Sequence, residues 1–507
     1  MAEQTTTATS TADAAHDGPA WGTAREMNAL ETLMWRAEAD PRLRSTVCGL
    51  ELLDRVPEWE RLVAAHDWAA RLVPRFRQRV VEPPLSMGVP TWAVDGDFDL
   101  HYHLRRAHLP APGGWRELLA AAEQVAMTPF DRARSPWEAV LFDGLEDGRA
   151  AYLLKLHHST SDGMGGIQLL SMLHSRRREH NPEKPQRPPP AAERPSAAEL
   201  LARQVARDVR ALPHRLRDAA GALRPLRSPG RAARDAVGFG ASLRRVLSDP
   251  DAEASPLLGG RSLSWRFIAL DVEFADLRGA SKAAGGTLND AYLAALLGGF
   301  RRYHEELGQP VRTIPIAIPI SVRRDADAEG GNRFAGARLA APVGIADPAE
   351  RIAAIGRLVR SARAESAIDG LGLLAPALSR LPGPLISQLA GGLTKANDLQ
   401  ASNVPGIRDE VFLAGARIER MYGFGPLPGC AVMITLVTHG STCCVAVNLD
   451  PAAVTDPERF GRCLEEGFAE VLALRDGAAA PVRRGSGKRR PGQRDGERET
   501  DAEMGDR

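Results

Sequence analysis

The chain has 507 residues, more than one hydrophobic core usually organises, so its length predicts two domains. Hydrophobic residues make up 44% of the sequence and charged residues 25%, which is typical of a globular protein and excludes a disordered or collagen-like chain. Lys plus Arg number 65 against 64 Asp plus Glu, so the net charge of +1 gives no global reason to expect a nucleic-acid partner.

The cysteines and the N-terminal residues indicate the cellular compartment of the protein. Five cysteines form no CxxC pair, and this odd number without a secretion signal predicts reduced thiols in a cytoplasmic protein. Residues 1–24 lack the positive and apolar regions of a signal peptide and predict a disordered leader. No run of about 18 residues is uniformly apolar. The nearest candidate, Gly370 to Leu393, is broken by prolines and is either buried in the core or folded as short apolar helices that touch lipid.

The first half, residues 25–175, alternates two kinds of pattern. Apolar residues at helical spacing predict helices, and short β-rich runs bounded by turns predict strands. The expected helices span Met27–Glu38, Glu58–Leu72 and Trp115–Met127, and the expected strands span Thr46–Leu53, Trp137–Asp143 and Ala150–His157. The last two strands are separated by a short charged turn, so we expect them to pair.

Residues 176–261 differ from the rest in composition. They begin with a proline-rich polar stretch that predicts a linker, followed by helical spacing from Ala197 to Leu223. Between Arg176 and Pro250 there are 17 Lys or Arg and 8 Asp or Glu. This basic amphipathic helix either attracts anionic lipid headgroups or CoA phosphates, or simply crosses between domains as a solvated helix. Without interleaved aromatic residues it does not indicate DNA binding.

The second half, residues 262–475, repeats the α/β alternation. Its expected strands are SWRFIALDV, TIPIAIPISV, AVMITLVTH and CCVAVNLD, of which the last two form a hairpin across a Gly-containing link. Helices are expected around Asp276–Lys282, Asn289–Glu306 and Pro457–Leu474. Residues 476–507 are charged, nearly free of large apolar side chains, and predict a disordered tail.

The run HHSTSDG, from His157 to Gly163, follows the strand Ala150–His157. Because side chains alternate along a strand, His157 and His158 point in opposite directions and cannot both serve one site. The same alternation argues against a metal centre, and no HExxH or CxxC motif supplies further ligands. Asp162 is either a helix N-cap, an ion-pair partner within the loop, or an acceptor that orients an imidazole.

With this context, the sequence resembles the bacterial wax ester synthase/acyl-CoA:diacylglycerol acyltransferases, within the CoA-dependent acyltransferases that include condensation domains. HHxxxDG is the signature of that family. The resemblance continues, in the family's order, at RSPWE (134–138), TLND (287–290), PISVR (319–323), GNRF (331–334) and SNVPG (402–406). It implies an α/β fold of two chloramphenicol-acetyltransferase-like domains with mixed sheets and an active-site channel between them.

The resemblance also implies roles. It makes His158 the general base and Asp162 chiefly a structural support, with His157 and Gly163 supporting the same loop. An alcohol attacks a thioester poorly unless its proton is removed, and imidazole is suited to remove it. Asn289 is the candidate donor to the oxyanion or an organiser of the site, or alternatively the N-cap of the helix that follows, with Asp290 beside it. The motif SNVPG is expected either to shape the channel or only to form a turn, through Ser402, Asn403, Pro405 and Gly406.

The function so implied is transfer of a long-chain acyl group from acyl-CoA to diacylglycerol, and to long-chain alcohols as wax ester precursors. Acyl-CoA is a co-substrate, and no permanent cofactor or metal is expected. The chain lacks the GxSxG elbow of an acyl-enzyme mechanism, which favours direct transfer. Peripheral association with the inner face of the membrane or with lipid inclusions is expected. The alternatives are an acyltransferase for specialised lipid alcohols and a non-catalytic lipid-binding protein of lipid inclusions.

Three positions depart from the family's usual pattern. Glu31 stands where the family often has aspartate, Pro136 where it has leucine, and His439 where it has tyrosine. These departures leave HHSTSDG whole and bear on acceptor preference.

Overall fold

The computed structural model describes residues 24–86, 88–161, 163–181, 187–196, 198–203, 205–206, 209–210, 213, 252, 254–321, 334–364, 381, 383–394, 397–475 and 481–485. Several predicted features lie outside these residues: the leader apart from Ala24, Asp162, most of the helix expected over 197–223, and most of the tail.

Helices and strands alternate along both halves. The helices are α1 Ala29–Ala37, α2 Trp59–Leu72, α3 Leu100–His103, α4 Trp115–Met127, α5 Gly163–Leu173, α6 Phe274–Ala283, α7 Leu288–Glu306, α8 Pro348–Arg363, α9 Gly383–Thr394 and α10 Pro457–Leu472. The strands are β1 Thr46–Leu53, β2 Gln78–Val81, β3 Thr91–Val94, β4 Leu104–His108, β5 Trp137–Asp143, β6 Ala150–His157, β7 His174–Ser175, β8 Arg266–Glu273, β9 Ile314–Ser321, β10 Phe334–Ala341, β11 Leu399–Val404, β12 Phe412–Leu413, β13 Ala416–Phe424, β14 Val432–His439, β15 Thr442–Leu449 and β16 Arg483–Arg484.

Two seven-stranded sheets form the frame. The strand order of the N-terminal sheet is β4-β5-β6-β1-β13-β12-β7, and that of the C-terminal sheet is β10-β9-β11-β14-β15-β8-β16. Both sheets are mixed, because β4 runs parallel to β5 and β11 runs parallel to β9 and β14. This confirms the predicted mixed α/β class and the expected pairing of β5 with β6 and of β14 with β15.

The division of the chain into contiguous halves needs one correction. Strands β12 and β13 lie in the predicted C-terminal domain, 262–475, but belong to the N-terminal sheet. There β13 runs antiparallel to β1, with Phe424 opposite Cys48. The reason is physical: without β13, β1 would be left with one open edge in the middle of the protein, and its backbone groups would lack partners.

The tail prediction is also wrong in part. Residues 481–485 are ordered, and β16 adds an edge strand to the C-terminal sheet, beside β8. Arg484 lies in ion-pair contact with Glu458 and Glu465 of α10. A polar segment can join a sheet edge through main-chain hydrogen bonds and ion pairs, neither of which leaves an apolar pattern in the sequence.

The two sheets meet across a shared core. Phe267 of β8 stacks on Phe424 of β13, with ring centroids 4.0 Å apart. Beside this stack, Asp271 of β8 accepts hydrogen bonds from Arg420 Nε (2.7 Å) and Tyr422 Oη (2.8 Å) of β13. Burial alone would lower the pKa of Arg420, but the Asp271 carboxylate raises it. A charge-assisted clamp therefore holds the halves together at the centre of their interface.

Helix α9 is the described part of the apolar segment Gly370–Leu393. Ile386 is buried against α1, and Ser387 Oγ donates to the carbonyl of Ala37 over 3.0 Å. Leu385, one residue earlier, is exposed. The described part of this segment therefore combines a face packed on α1 with an apolar side chain in solvent. Across the described residues, no helix is long and apolar enough to cross a membrane.

His66 of α2 occupies a buried site in the N-terminal core. Its Nδ1 lies 2.8 Å from the Leu62 carbonyl oxygen and its Nε2 2.7 Å from Tyr152 Oη. Burial lowers the pKa of His66 from 6.5 to about 4. The unfolded chain therefore takes up this proton at a higher pH than the folded chain does, and the folded state loses stability as the pH falls through that window.

The double variant His66→Leu/Tyr152→Phe removes the buried histidine and its partner. We therefore expect its free energy of unfolding to depend less on pH than that of the wild type. Between pH 6.5 and 4 the wild type should lose up to about 3 kcal/mol of unfolding free energy through this group, and the double variant should lose correspondingly less. Urea denaturation across this range measures the difference. Tyr152→Phe, which keeps the histidine, is the control; an equal slope in all three proteins would contradict the assignment.

Candidate active site

The histidine loop begins where β6 leaves the N-terminal sheet. Every residue of β6 is buried, and the strand lies between β1 and β5. At its end, the His157 amide donates to the Pro136 carbonyl (3.0 Å) and the His158 amide donates to the Ser45 carbonyl (2.7 Å). The loop is thus held from both sides by the ends of neighbouring strands.

His157 is fully enclosed, and each of its ring nitrogens faces a polar group. The Ser159 amide donates to Nδ1 over 3.0 Å, so the ring proton of a neutral imidazole must reside on Nε2. Nε2 lies 3.1 Å from Glu38 Oε1. The rings of Trp35 and Phe130 stand edge-on to the imidazole. A histidine held in this way supports the loop and has no nitrogen left to accept a proton from a substrate.

Glu38 connects the histidine loop to the end of α1. Its Oε1 accepts a hydrogen bond from the Ser45 amide over 2.8 Å, in addition to facing His157. Burial alone would raise the pKa of Glu38, but His157 and the Ser45 amide lower it, so the carboxylate is charged at neutral pH. Ser45 is therefore a shared anchor, since its amide binds Glu38 and its carbonyl holds the backbone of His158.

His158 differs from His157 in exposure. Its side chain is half-buried, whereas that of His157 is 0% exposed. The Ser161 amide donates to the His158 carbonyl and the Thr160 amide to the His157 carbonyl, which forms a tight turn before α5. Gly163 opens α5, and Asp162, directly before it, lies outside the described residues.

The motif RSPWE supports β6 from the other side. Trp137 is buried and donates its indole N–H to the Phe76 carbonyl over 2.7 Å. Glu138 pairs with Arg105 (2.7 Å) and with buried Lys155 (3.4 Å). The ion pairs join β4, β5 and β6, so this motif stabilises the strands that carry the histidines.

The motif TLND opens α7. Thr287 is the N-cap: its side chain accepts from the Asp290 amide (3.2 Å), while Asp290 Oδ2 accepts from the Thr287 amide (2.9 Å). Buried Asp290 is therefore a structural residue of a reciprocal cap. The alternative of Asn289 as the N-cap is wrong, because Asn289 lies inside the first turn of the helix.

The motif SNVPG lies at the end of β11, where it meets TLND. Asn403 Nδ2 donates to Asn289 Oδ1 over 3.4 Å. Ser402 stands opposite Thr435 of β14, and Pro405 is exposed. A Cβ on Gly406 would lie 2.2 Å from the Thr438 carbonyl oxygen, so only glycine fits there.

The strand register places these two groups at different ends of the interface. His157 pairs with Thr46 at the start of β1, whereas the far end of β1 faces the start of β13. The end of β14, beside SNVPG, approaches that same start of β13 through His439 and the Ile418 carbonyl. Helix α5 begins at the end of the histidine loop, is about 16 Å long and leads to β7. The structure brings Asn289 to Asn403 and does not bring it to the end of β6, so this placement does not support Asn289 as the oxyanion donor.

The departures from the family pattern have local structural roles. Glu31 forms a reciprocal cap with Asn28 at the start of α1. Pro136 contributes its carbonyl to the histidine loop, which any residue could do. His439 has Nδ1 2.8 Å from the Ile407 carbonyl oxygen and Nε2 3.0 Å from that of Ile418. None of the three alters the described environment of His157.

Glu38 and Ser45 are the residues that sequence reasoning missed. Neither belongs to a recognised motif, and a carboxylate after a helix is common in exposed turns. The one signal was position, because Ser45 directly precedes a strand predicted correctly as Thr46–Leu53. Among the described side chains, no cluster of His, Cys, Asp and Glu could hold a metal ion.

Comparison with known proteins agrees with this geometry. The wax ester synthase/diacylglycerol acyltransferase catalytic domain matches residues 24–292, and the C-terminal domain of the same family matches residues 330–471. The chain therefore belongs to the wax ester synthase/diacylglycerol acyltransferase family and is an acyltransferase by class.

Particular relatives are consistent with that assignment. A predicted diacylglycerol O-acyltransferase of Mycobacterium tuberculosis is 42% identical over 462 residues, covering 90% of this chain and 94% of the relative. In fold, the chain is similar to the wax ester synthase/diacylglycerol acyltransferase of Marinobacter aquaeolei VT8, with a TM-score of 0.60 at 22% identity over 89% of this chain and 99% of that one. The first condensation domain of the calcium-dependent antibiotic synthetase gives a TM-score of 0.55 at 18% identity, over 90% of this chain and 100% of that domain.

The contacts of Glu38 predict a positioning effect on catalysis. Glu38→Gln keeps an acceptor for the Ser45 amide but removes the charge facing His157, so the loop should shift while the fold persists. We expect kcat to fall about 10- to 100-fold with KM for the acyl donor unchanged. Steady-state acyl transfer measures the split between the two constants. Glu60→Gln, an exposed site on α2, is the matched control; a kcat equal to wild type would refute the positioning role.

Proposed function

We propose that this protein transfers a long-chain acyl group from acyl-CoA to the hydroxyl group of diacylglycerol, with long-chain alcohols as further acceptors, and that His158 is the general base. One observation carries the proposal: of the two adjacent histidines at the end of β6, His157 is fully enclosed, whereas His158 is half-buried. Family membership and the M. tuberculosis relative support the acyl donor and the acceptor class.

The chemistry requires one base. In the proposed reaction the imidazole of His158 removes the proton of the acceptor hydroxyl as its oxygen attacks the thioester carbonyl. The tetrahedral intermediate collapses, the C–S bond breaks, and the same proton passes to the departing CoA sulfur. The balance is acyl-CoA plus alcohol giving ester plus free CoA, and no oxidant or metal enters it.

An acyl-enzyme on cysteine is disfavoured by the environments of the thiols. All five cysteines are buried. Burial raises the pKa of Cys48 and Cys430 to about 12 and that of Cys443 to about 11. A thiol in such an environment carries almost no thiolate at neutral pH and is a poor nucleophile. Direct transfer between two bound substrates is therefore the preferred course.

His158→Ala should lower acceptor-dependent release of CoA thiol from palmitoyl-CoA about 10²- to 10⁴-fold, because it removes the base and little packing. Thiol release with diacylglycerol or hexadecanol, followed by lipid analysis of the product, measures the loss and names the acceptor. His101→Ala, at an exposed histidine of α3, is the control. Full acceptor-dependent release by folded His158→Ala would exclude His158 as the base, and no release by wild type with any acceptor would favour a lipid-binding protein.

The site of action is proposed from an exposed apolar stripe. Residues described between 198 and 213 are helical, and Leu201, Val205 and Val209 are 37%, 61% and 63% exposed. Their spacing of four residues places them on one face of the helix, with exposed Arg203 and Arg210 nearby. Apolar side chains flanked by cations suit the surface of an anionic membrane or lipid inclusion on its cytoplasmic side.

The stripe predicts weaker lipid binding when it is made polar. Val205→Glu/Val209→Glu should reduce binding to phosphatidylglycerol vesicles at least tenfold, since each valine contributes roughly 1.5 kcal/mol or more when buried. Turnover of soluble short-chain substrates should be unchanged. Vesicle co-sedimentation measures the binding, and Val56→Glu, at another exposed valine, is the control. Equal sedimentation of both variants, or unchanged binding after Arg203→Gln/Arg210→Gln, would contradict the proposal.

A further inference from the structure

A concave pocket lies between the two halves, beside the start of β1. The turn 41–44 forms one wall, and residues 261–265 and 427–430 form the other, with Asp450 among the lining residues. Both halves of the chain therefore contribute to it.

Three arginines line this pocket, which we call the arginine pocket: Arg42, Arg44 and Arg261. Arg44 donates to the Met127 carbonyl (2.6 Å), and Arg261 donates to main-chain carbonyls that include Gly429 O (2.6 Å). Within the described part of the chain, neither guanidinium lies in an ion pair with a carboxylate. Main-chain carbonyls satisfy N–H groups but do not neutralise a charge, so the charge and the other donors of Arg44 remain available to an anion. The Arg261 guanidinium donates to four main-chain carbonyls and adds positive charge to the wall.

The other charged groups of the pocket do not cancel its excess of positive charge. Arg42 pairs with Asp40 at 3.1 Å, on the exposed side of the turn. Asp450 is the one carboxylate that lines the pocket, and it accepts from the amide and hydroxyl of Ser262 and from the Ala452 amide. Asp398, near Arg261, has its pKa raised by burial to about 6. Beside the Arg42–Asp40 pair, the guanidinium groups of Arg44 and Arg261 thus share the pocket with Asp450, a carboxylate that is already hydrogen-bonded, and Arg261 also lies near Asp398.

The arginine pocket adjoins the proposed base. Arg44 directly precedes Ser45, whose carbonyl accepts the His158 amide over 2.7 Å. The Arg44 side chain also binds the end of α4, and Trp265 in the opposite wall donates its amide to Met127 Sδ over 3.2 Å. The pocket therefore opens at the same end of the interface as the histidine loop, away from the Asn289–Asn403 contact.

We propose that the arginine pocket binds the phosphate groups of the CoA part of the acyl donor. The proposal rests on the function proposed above. Guanidinium groups bind phosphate oxygens through several parallel N–H donors, and an excess of positive charge in a partly enclosed site strengthens that attraction. A donor anchored here by its phosphates would have its thioester end free to extend toward the adjoining histidine loop.

Equilibrium binding of CoA to the full-length protein, measured by titration calorimetry, tests the proposal without turnover. Arg44→Gln and Arg42→Gln should each weaken CoA binding about tenfold, and the double variant should weaken it more. The variants should lose less affinity for dephospho-CoA and none for pantetheine. At saturating acyl-CoA, kcat should stay at the wild-type value while KM rises. Arg55→Gln, at an exposed arginine beyond the other end of β1, is the control.

Three results would overturn the proposal. The first is an unchanged CoA affinity in the folded double variant, with folding checked by its thermal midpoint. The second is an equal loss of pantetheine affinity, which would indicate a general disturbance of the site. The third is lost binding to phosphatidylglycerol vesicles with unchanged CoA affinity, which would assign the arginines to lipid headgroups. If the wild type binds CoA through these arginines but transfers no acyl group, the CoA-binding role of the pocket stands and the proposed function is rejected.

Discussion

The insertion of β13 beside β1 is the constraint on which the rest of the structure depends. A strand from the second half completes the sheet of the first half, so neither half closes its own backbone hydrogen bonds without the other. The same strand packs its other groups against β8, through the Phe267–Phe424 stack and the Asp271 clamp. Two halves that are joined by a strand crossing into the other half's sheet and by a shared core are fixed in relative position, and a site built from both of them inherits that rigidity.

The position of the histidine loop follows from this frame. Because β1 is central in its sheet, its first residues are held by neighbours on both sides, and Ser45 is a fixed point. Glu38 then reaches that point from the end of α1, onto which α9 of the second half packs. The loop therefore stands on elements of both halves, although every residue of HHSTSDG belongs to the first.

The bounds of individual helices and strands could be predicted closely from the sequence, but the neighbours of each strand in its sheet could not. Strands Thr46–Leu53, Trp137–Asp143 and Ala150–His157 and helix Trp115–Met127 were predicted with the bounds they have, because apolar periodicity and flanking turns record burial along one segment. No pattern in the sequence indicates that β13 belongs to the N-terminal sheet. Strand periodicity states which face is buried but not which strand lies alongside.

The candidate site divides in the same way. The opposition of His157 and His158 follows from the period of a strand, and the structure gives the two side chains different exposures. The placement of Asn289 and the contact of Glu38 with His157 depend on tertiary packing between elements far apart in the sequence. Motifs in the order of a family need not lie together, and the TLND and SNVPG motifs contact each other at the end of the interface opposite to the histidines.

The environment of His157 has a consequence for the histidine beside it. The Ser159 amide points into Nδ1, which therefore acts as an acceptor, so the ring hydrogen lies on Nε2 and faces Glu38. The Ser159 amide and Glu38 together fix the orientation of the His157 ring and direct it into the protein. In the proposed reaction the proton of the acceptor alcohol therefore passes to His158, while His157 supports the loop that carries it.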